Sequence, residues 1–580
     1  MNKLIRVNMN RLEAGVEDMP DRYRLMGGRW LTSSIISDEV EPLSHPLGAG
    51  NKLVFAPGIV TGTNAPTCSR ISVGAKSPLT GGIKEANAGT KFSQKLARLG
   101  IKAVIVEGKP NKNDTPYILE IKRDSVSLIP AKELQMKGAY ETVEVLSSKY
   151  GDAGICCIGP AGEMQMAMAG ICFNDLKNRA SRYAGRGGLG AVMGAKGIKA
   201  IVVDDRDASG VEIKDKGLFD QGRKKLINAL QSHDITKPKG ALNTYGTAVL
   251  VNIVNNAGAF PTRNFSAGRF ENADKVSGET IFEETKRRAG KELYNHACSP
   301  GCIIQCSNTW YAEDGKEMVS CQEYESIWAL GPNCGIDDLD TTGELIRICN
   351  DLGIDTIEAG VTLGVAMEAG LAKFGDGKRA IELLKEIKKG SPLGRILGQG
   401  AAFTGKAFGV LRIPAVKGQG MPAYEPRAVK GIGVTYATST MGADHTSGYT
   451  IAPEILSVGG KWDPLDSKGK VELSRNFQVT TAFLDSTGYC LFIAFAVLDI
   501  PSGFEGVIET CNAVLGTSWT DDDVARIGKE IMKKEREFNT AAGITKAFDR
   551  LPEFMRKEKL PPHNSRWDIK DKEVDSFWEF

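Results

Sequence analysis

Short apolar runs bounded by Gly, Pro, Asn or Asp punctuate the first 205 or so residues: Lys52–Phe55, Ala103–Val106, Tyr117–Ile121, Ile155–Ile158 and Ile198–Val203. Runs of this length and punctuation predict β-strands. Further on the period changes. Asp215–Leu230, Thr342–Leu352, Thr356–Phe374, Arg379–Lys389 and Asp521–Glu537 carry apolar residues at spacings of three and four, which predicts helices with one face turned to a core. Asp521, Asp522 and Asp523 open the last of these, where carboxylates suit the positive end of a helix, and Gly390 closes another. Strands first and helices afterwards predict an α+β fold and not an alternating one. The expected division is a β-rich domain over 1–208 and two mainly α-helical domains over 209–413 and 414–580. No internal repeat is apparent.

Composition narrows the function. Apolar residues at 42% and charged residues at 25% exclude a disordered chain. The net charge of +2 provides no global field for nucleic acid or an anionic membrane. The longest apolar run, Cys490–Leu498, falls far short of the roughly 18 residues of a membrane span. The N-terminal segment has no apolar stretch fit for a signal peptide, so the cytoplasm is the expected compartment. Glycine, 66 of 580 residues, exceeds the usual ~7%, so much backbone turns tightly or approaches something closely. Twelve cysteines are too few to staple a chain of this size, and their clustering points to metal.

The sharpest cluster is Cys298-Ser-Pro-Gly-Cys302-Ile-Ile-Gln-Cys306. Three thiolates in one Gly/Pro loop suit a soft metal centre. With five histidines in the chain and no second cysteine pair, a [4Fe–4S] cluster with a remote fourth cysteine fits better than zinc. His296 is expected to be a neighbour and not a ligand. The segment Arg182-Tyr183-Ala184-Gly185-Arg186-Gly187-Gly188 continues to Gly190 and contains GxGxxG. A dinucleotide fingerprint needs a strand before it and a helix after it. Lys177–Arg182 does not read as a buried strand, and Gly194 and Gly197 interrupt any helix. A phosphate cradle is the preferred reading, with glycine amides and two arginines as donors. Gly400–Ala407 has P-loop spacing, but Ala407 stands where Ser or Thr would hold Mg²⁺. Finally, Asn350-Asp-Leu-Gly353-Ile-Asp355 and Asp485-Ser-Thr-Gly488-Tyr489-Cys490 share one pattern, polar groups around a glycine that permits close approach to a heterocycle.

Together with Ser77-Pro-Leu-Thr-Gly81, Asn87-Ala88-Gly89, Glu323-Tyr324-Glu325-Ser326 and Gly442-Ala-Asp-His445, these segments make nearly the whole chain resemble the tungsten-containing aldehyde:ferredoxin oxidoreductases. The resemblance implies tungsten (or molybdenum) held by two pterin cofactors. Asn87 and the Tyr183 carbonyl would lie at a Mg²⁺ between the pterin phosphates, with Ala88 and Gly89 beside them. Arg182 and the Gly185–Gly188 backbone would bind the phosphates, Asn350 and Asp355 one pterin, and Asp485 with Tyr489 the other. Cys490 would be the fourth cluster ligand. The chain departs from the family in an extra residue between the first two cysteines and in Asn350, where Asp is commoner. Oxidising an aldehyde needs a proton acceptor and a donor to the carbonyl oxygen. Glu325 and His445 match the family's acid and histidine, Tyr324 is the candidate donor, Asp444 a candidate to orient His445, and Glu323 the competing acid.

The implied activity is oxidation of an aldehyde to a carboxylic acid, possible in both directions, with electrons passing through the cluster to ferredoxin or to iron–sulfur and flavin subunits of an oligomer. An alternative within the fold is a catalytic subunit of benzoyl-coenzyme A reductase type, with Cys321 at the metal. An alternative of another class is an iron–sulfur electron carrier or scaffold.

Overall fold

The computed structural model describes residues 3–111, 114–290 and 294–580. Twelve strands lie in the first third: β1 (Lys3–Asn8), β2 (Glu13–Asp18), β3 (Leu53–Pro57), β4 (Arg70–Lys76), β5 (Ile83–Gly89), β6 (Ile101–Glu107), β7 (Tyr117–Lys122), β8 (Ser125–Pro130), β9 (Gly154–Cys157), β10 (Ile171–Asn174), β11 (Ala180–Ala184) and β12 (Ile198–Val203). They form two six-stranded sheets, ordered β2-β1-β6-β3-β4-β5 and β8-β7-β12-β9-β10-β11. The second order is the first advanced by six. β1 pairs parallel with β6 and β7 with β12, while every other neighbour is antiparallel. Helices Gly28–Glu39 and Ala139–Tyr150 follow the two opening hairpins, and Lys91–Arg98 and Leu189–Ala195 precede the two closing strands.

This part of the chain is therefore a structural duplication, against the expectation of no repeat. Its surviving signature is Gly100-Ile-Lys-Ala-Val-Ile-Val-Glu107 against Gly197-Ile-Lys-Ala-Ile-Val-Val-Asp204. Lys102 and Lys199 are buried at matching positions, and each ammonium donates to a carbonyl just past a short 3₁₀ turn, that of Arg24 or of Lys137. A buried ammonium needs such acceptors, which explains why the pair survived divergence.

The five expected strands are β3, β6, β7, β9 and β12, the apolar strands of the two sheets. The others are held by backbone pairing and carry weaker side-chain patterns. One of them corrects the reading of the glycine-rich segment: β11 is a strand directly before it, and the helix Leu189–Ala195 directly follows. The dinucleotide reading fails on different ground. β11, β10, β9 and β12 each run antiparallel to the next, so β11 and β12 point in opposite directions and no parallel βαβ unit forms. In Gly400–Ala407 the N–H of Ala401 is taken by Glu358 Oε1 at 2.9 Å, so no phosphate cradle exists there.

The helices Lys216–Ser232, Leu339–Leu352, Gly377–Lys389 and Asp521–Ala541 lie where expected. The last opens on a capping box between Thr520 and Asp523, and Gly390 ends the third with φ of 62°. The helix from Thr356 stops at Glu368 and not Phe374, because Gly370 turns left-handed with φ of 81°. A hairpin of β13 (Thr309–Tyr311) and β14 (Glu317–Ser320) interrupts the helical part. Among the described residues no helix is long and apolar enough to cross a membrane. The outermost strands β5 and β11 of the two sheets lie against each other, and helical segments close over that seam.

Candidate active site

Cys298, Cys302, Cys306 and Cys490 line one cavity of about 230 Å³. Thr67, between β3 and β4, is the common anchor of the two segments. Its N–H donates to Gly301 O at 3.0 Å, its hydroxyl accepts from Ile303 N–H at 3.2 Å, and its carbonyl accepts from Cys490 N–H at 3.0 Å. Ser69 adds a bond to Pro300 O, and Arg70 N–H donates to Gly488 O. The Arg70 guanidinium, buried, reaches Cys490 Sγ at 2.9 Å. A hydrogen bond from Cys302, with Arg182 and Arg70 nearby, pulls the Cys298 thiol well below its ordinary pKa. No three His, Cys, Asp or Glu side chains among the described residues close on a single ion. A cavity walled by four thiols suits a group with volume. His296 lies outside this wall, its Nε2 2.6 Å from Arg179, and burial lowers its pKa to about 3, so it stands neutral.

A second cavity of about 260 Å³ adjoins the first, sharing Arg70, Gly89, Arg182 and Glu323. Its lining includes Ala88, Tyr183, Gly185, Arg186, Asn350 and Asp355. Asn350 ends one helix and Asp355 caps the next across left-handed Gly353, accepting from Ile357 N–H at 2.9 Å. The Tyr183 hydroxyl donates to Asn350 O at 2.7 Å. Arg182 donates to Ser307 Oγ at 2.8 Å, leaving its buried Nε without a partner. Asn87 lies on β5, half-buried and outside both cavities.

Several of the expected residues are held by contacts within the chain. The Arg186 guanidinium is spent on Asp355, Ala443 O and Gly420 O, not free for a phosphate. Gly187 and Gly188 are left-handed, and a Cβ on either would strike Lys84 or the Ala167 carbonyl, so packing requires them. Gly185 is different: a Cβ there meets nothing in the chain closer than 3.9 Å. Tyr489 is turned into the core, its hydroxyl on Thr510 at 2.9 Å. Asp485 sits beside Arg29 at 3.5 Å, and burial together with Glu85 pushes its pKa up to about 8.

Glu325 and His445 meet in the cysteine cavity, Oε1 to Nε2 at 3.4 Å. Glu325 Oε2 accepts from Ala423 N–H at 3.0 Å, whereas Oε1 and His445 Nδ1 have no hydrogen-bond partner. Burial pushes the carboxyl up to about 8 and the imidazole down to about 4. Near neutrality the acid is thus protonated and the imidazole uncharged. The competing Glu323 accepts from Thr247 Oγ1 at 2.6 Å and stands in the wall shared by the two cavities. Asp444 stands 4.0 Å from His445 Nδ1, too far to orient it, and is held by Lys84 and Thr446. The Tyr324 hydroxyl, expected as a donor to substrate, is committed to Ala423 O at 2.9 Å within a stack of Phe260 and Tyr424. The hydroxyls next to His445 are those of Tyr424 and Tyr449, 2.7 Å apart. Sequence reasoning missed Thr67, Arg70 and Tyr449, which carry no motif of their own.

Two family models cover the chain, the N-terminal domain of aldehyde ferredoxin oxidoreductase over residues 4–205 and its domains 2 and 3 over 221–579. The chain is 37% identical to a tungsten-containing aldehyde ferredoxin oxidoreductase of Pyrococcus abyssi, over 96% of this chain and 92% of the relative. It is 25% identical to the WOR-like subunit of an aliphatic sulfonate oxidoreductase of Pyrococcus furiosus, over 92% and 85%. The solved active-site complex BamBC of benzoyl-coenzyme A reductase shares the fold with a TM-score of 0.79 at 18% identity, over 100% of this chain and 93% of that one. The duplicated sheets, the cavities at their seam and these matches along both parts of the chain lead to one assignment: the chain belongs to the aldehyde ferredoxin oxidoreductase family.

Proposed function

We propose that the chain oxidises aldehydes to carboxylic acids at tungsten held by two pterins, its electrons leaving through one [4Fe–4S] cluster to ferredoxin or to iron–sulfur and flavin subunits. The observation that carries this reading is the shared chamber, in which four thiols and the Glu325–His445 pair line the same cavity. An electron exit and a proton acceptor stand side by side.

The residues fit the implied groups. Arg182 Nε, Glu325 Oε1 and His445 Nδ1 are buried polar atoms lacking partners, and a polar cofactor or substrate supplies them. Arg182 and the Gly185 backbone would hold pterin phosphate, Asn350 and Asp355 one pterin, Asp485 the other, and Asn87 with the Tyr183 carbonyl a Mg²⁺ at the β5–β11 seam. The four cysteines would hold the cluster. Bound there, the tungsten centre supplies a two-electron sink and polarises the aldehyde oxygen. The chain supplies the protons' path. RCHO and water yield RCOO⁻, three protons and two electrons; ionised Glu325 takes the water's proton and shares it with His445 Nε2. Tyr424 and Tyr449, beside His445, are the candidate hydroxyls for the carbonyl oxygen.

Cys321, in the second cavity with Glu323 and Arg182, favours the benzoyl-coenzyme A alternative. Purified protein decides between the readings. Aldehyde-dependent reduction of a viologen, with tungsten or molybdenum and about four irons per chain, is the expected result, and Cys490→Ala should lose the iron. Full metal content with no oxidation of any aldehyde tested would refute the activity.

A further inference from the structure

We propose that the Thr67 hydroxyl donates its hydrogen to sulfur at the four-cysteine site and raises the reduction potential of the cluster held there. This role rests on the [4Fe–4S] reading above.

Thr67 lines the cavity of Cys298, Cys302, Cys306 and Cys490 and is 3% exposed. Its backbone is left-handed, with φ of 58°, and among the described residues no other Val, Ile or Thr has a positive φ. That conformation is costly for a β-branched side chain and persists only where the surroundings over-determine it. Here they do. The Thr67 N–H donates to Gly301 O and its carbonyl accepts from Cys490 N–H, both at 3.0 Å, one partner in each cysteine-bearing segment. On the next residue, the Cys68 carbonyl accepts from the Thr61 hydroxyl at 2.9 Å, and Cys68 Sγ donates to Ala65 O at 3.0 Å. These ties hold the Thr67 side chain against the cavity.

A hydroxyl has one hydrogen to give as well as lone pairs to accept with. Thr67 Oγ1 accepts from the N–H of Ile303, the residue after Cys302, at 3.2 Å, and no described residue accepts its own hydrogen. Other hydroxyls of the wall are engaged. Thr247 donates to Glu323 and Tyr324 to Ala423 O, and Tyr424 and Tyr449 pair with each other. Ser307 accepts from Arg182 at 2.8 Å, and none of its bonds reaches the Cys490 segment. Of the residues that the two segments joined by Thr67 bring to the cavity, only the four cysteines and Ser307 have side chains able to accept. A buried donor needs an acceptor. A donor to sulfur favours the more negative, reduced state and so raises the potential. One electron enters on reduction, and no covalent bond forms or breaks.

Dithionite titration of the purified holoenzyme, followed by EPR of the reduced cluster and with iron assayed, tests this. Thr67→Val keeps the shape and removes the donor. Its reduction equilibrium should shift about tenfold toward the oxidised form, which is ~59 mV for one electron. Thr67→Ser restores the hydroxyl and should return the wild-type potential, and Ser307→Ala should leave it in place. An unmoved potential in Thr67→Val with full iron refutes the proposal, and so does a shift seen in Ser307→Ala alone. A Thr67→Ser potential equal to that of Thr67→Val also refutes it, because packing and not the hydroxyl then sets the value. If Thr67→Val takes up no iron, Thr67→Ala, free of the β-branch, gives the same reading. Iron lost from both makes Thr67 a structural residue only and overturns the tuning role. A wild type with neither iron nor a reduced-cluster signal refutes instead the [4Fe–4S] reading.

Discussion

At the scale of single residues, Glu325 is set apart from Glu323 by what each touches. Glu323 spends its carboxylate on Thr247, while Glu325 keeps one oxygen free against His445. Burial raises Glu325 to about 8, so its basic, ionised form grows as pH rises through that value. Turnover should therefore increase across pH 8 in the wild type. Glu325→Gln should lose this limb and about 10²–10⁴ in rate, with tungsten and iron contents unchanged. Glu323→Gln should keep both the rate and the limb. Loss of activity in Glu323→Gln alone, by steady-state kinetics, would reassign the acid.

At the scale of elements, the turn from β11 into the helix Leu189–Ala195 contains glycines of two kinds. Gly185 has ordinary φ of −81° and open space, so Gly185→Ala should fold like the wild type and lose pterin and tungsten, because the added methyl meets only the ligand. Gly187 has φ of 82° and its Cβ would lie 2.4 Å from Lys84 Cγ. Gly187→Ala should destabilise the protein by ~1–3 kcal/mol even without cofactor. Thermal melts of metal-free protein beside pterin analysis separate the two; equal melts for both variants would contradict the distinction. The same comparison explains why the motif misled the strand assignment. β11 is an edge strand whose pairing uses backbone alone, so Ala-Ser-Arg-Tyr-Ala carries no apolar alternation to read.

At the scale of the molecule, Arg186 joins three distant parts of the chain. It leaves the turn after β11, pairs with Asp355 at 3.1 Å and donates to the carbonyls of Gly420 and Ala443. Removing one partner of a buried ion pair strands the other, at a cost of ~3–5 kcal/mol. Arg186→Met should lower the melting temperature and loosen the helical segments from the sheets, which hydrogen exchange at residues around 355, 420 and 443 would register. A melt equal to that of the wild type would show the contact to be dispensable.

The local chemistry of the chain carries far. Apolar runs marked the central strands, the spacing of three and four marked the long helices, and Asp521–Asp523 and Gly390 marked two of their ends, because period and capping are decided by residues within a turn or two of each other. The cysteine loop and the acid and histidine were visible as motifs for the same reason, and resemblance added Cys490. Contacts between distant segments decided the rest. The duplication survives in strand order although the sequence likeness has shrunk to one stretch of eight positions, five of them identical, since backbone pairing outlasts side-chain identity. Thr67 and Arg70 acquire meaning only because two loops some 190 residues apart pack on them. Tyr324 donates its hydroxyl's hydrogen bond to a carbonyl from another segment, a partner that only the folded chain brings to it. Such groups take their function from neighbours remote in sequence, and folding alone supplies those neighbours.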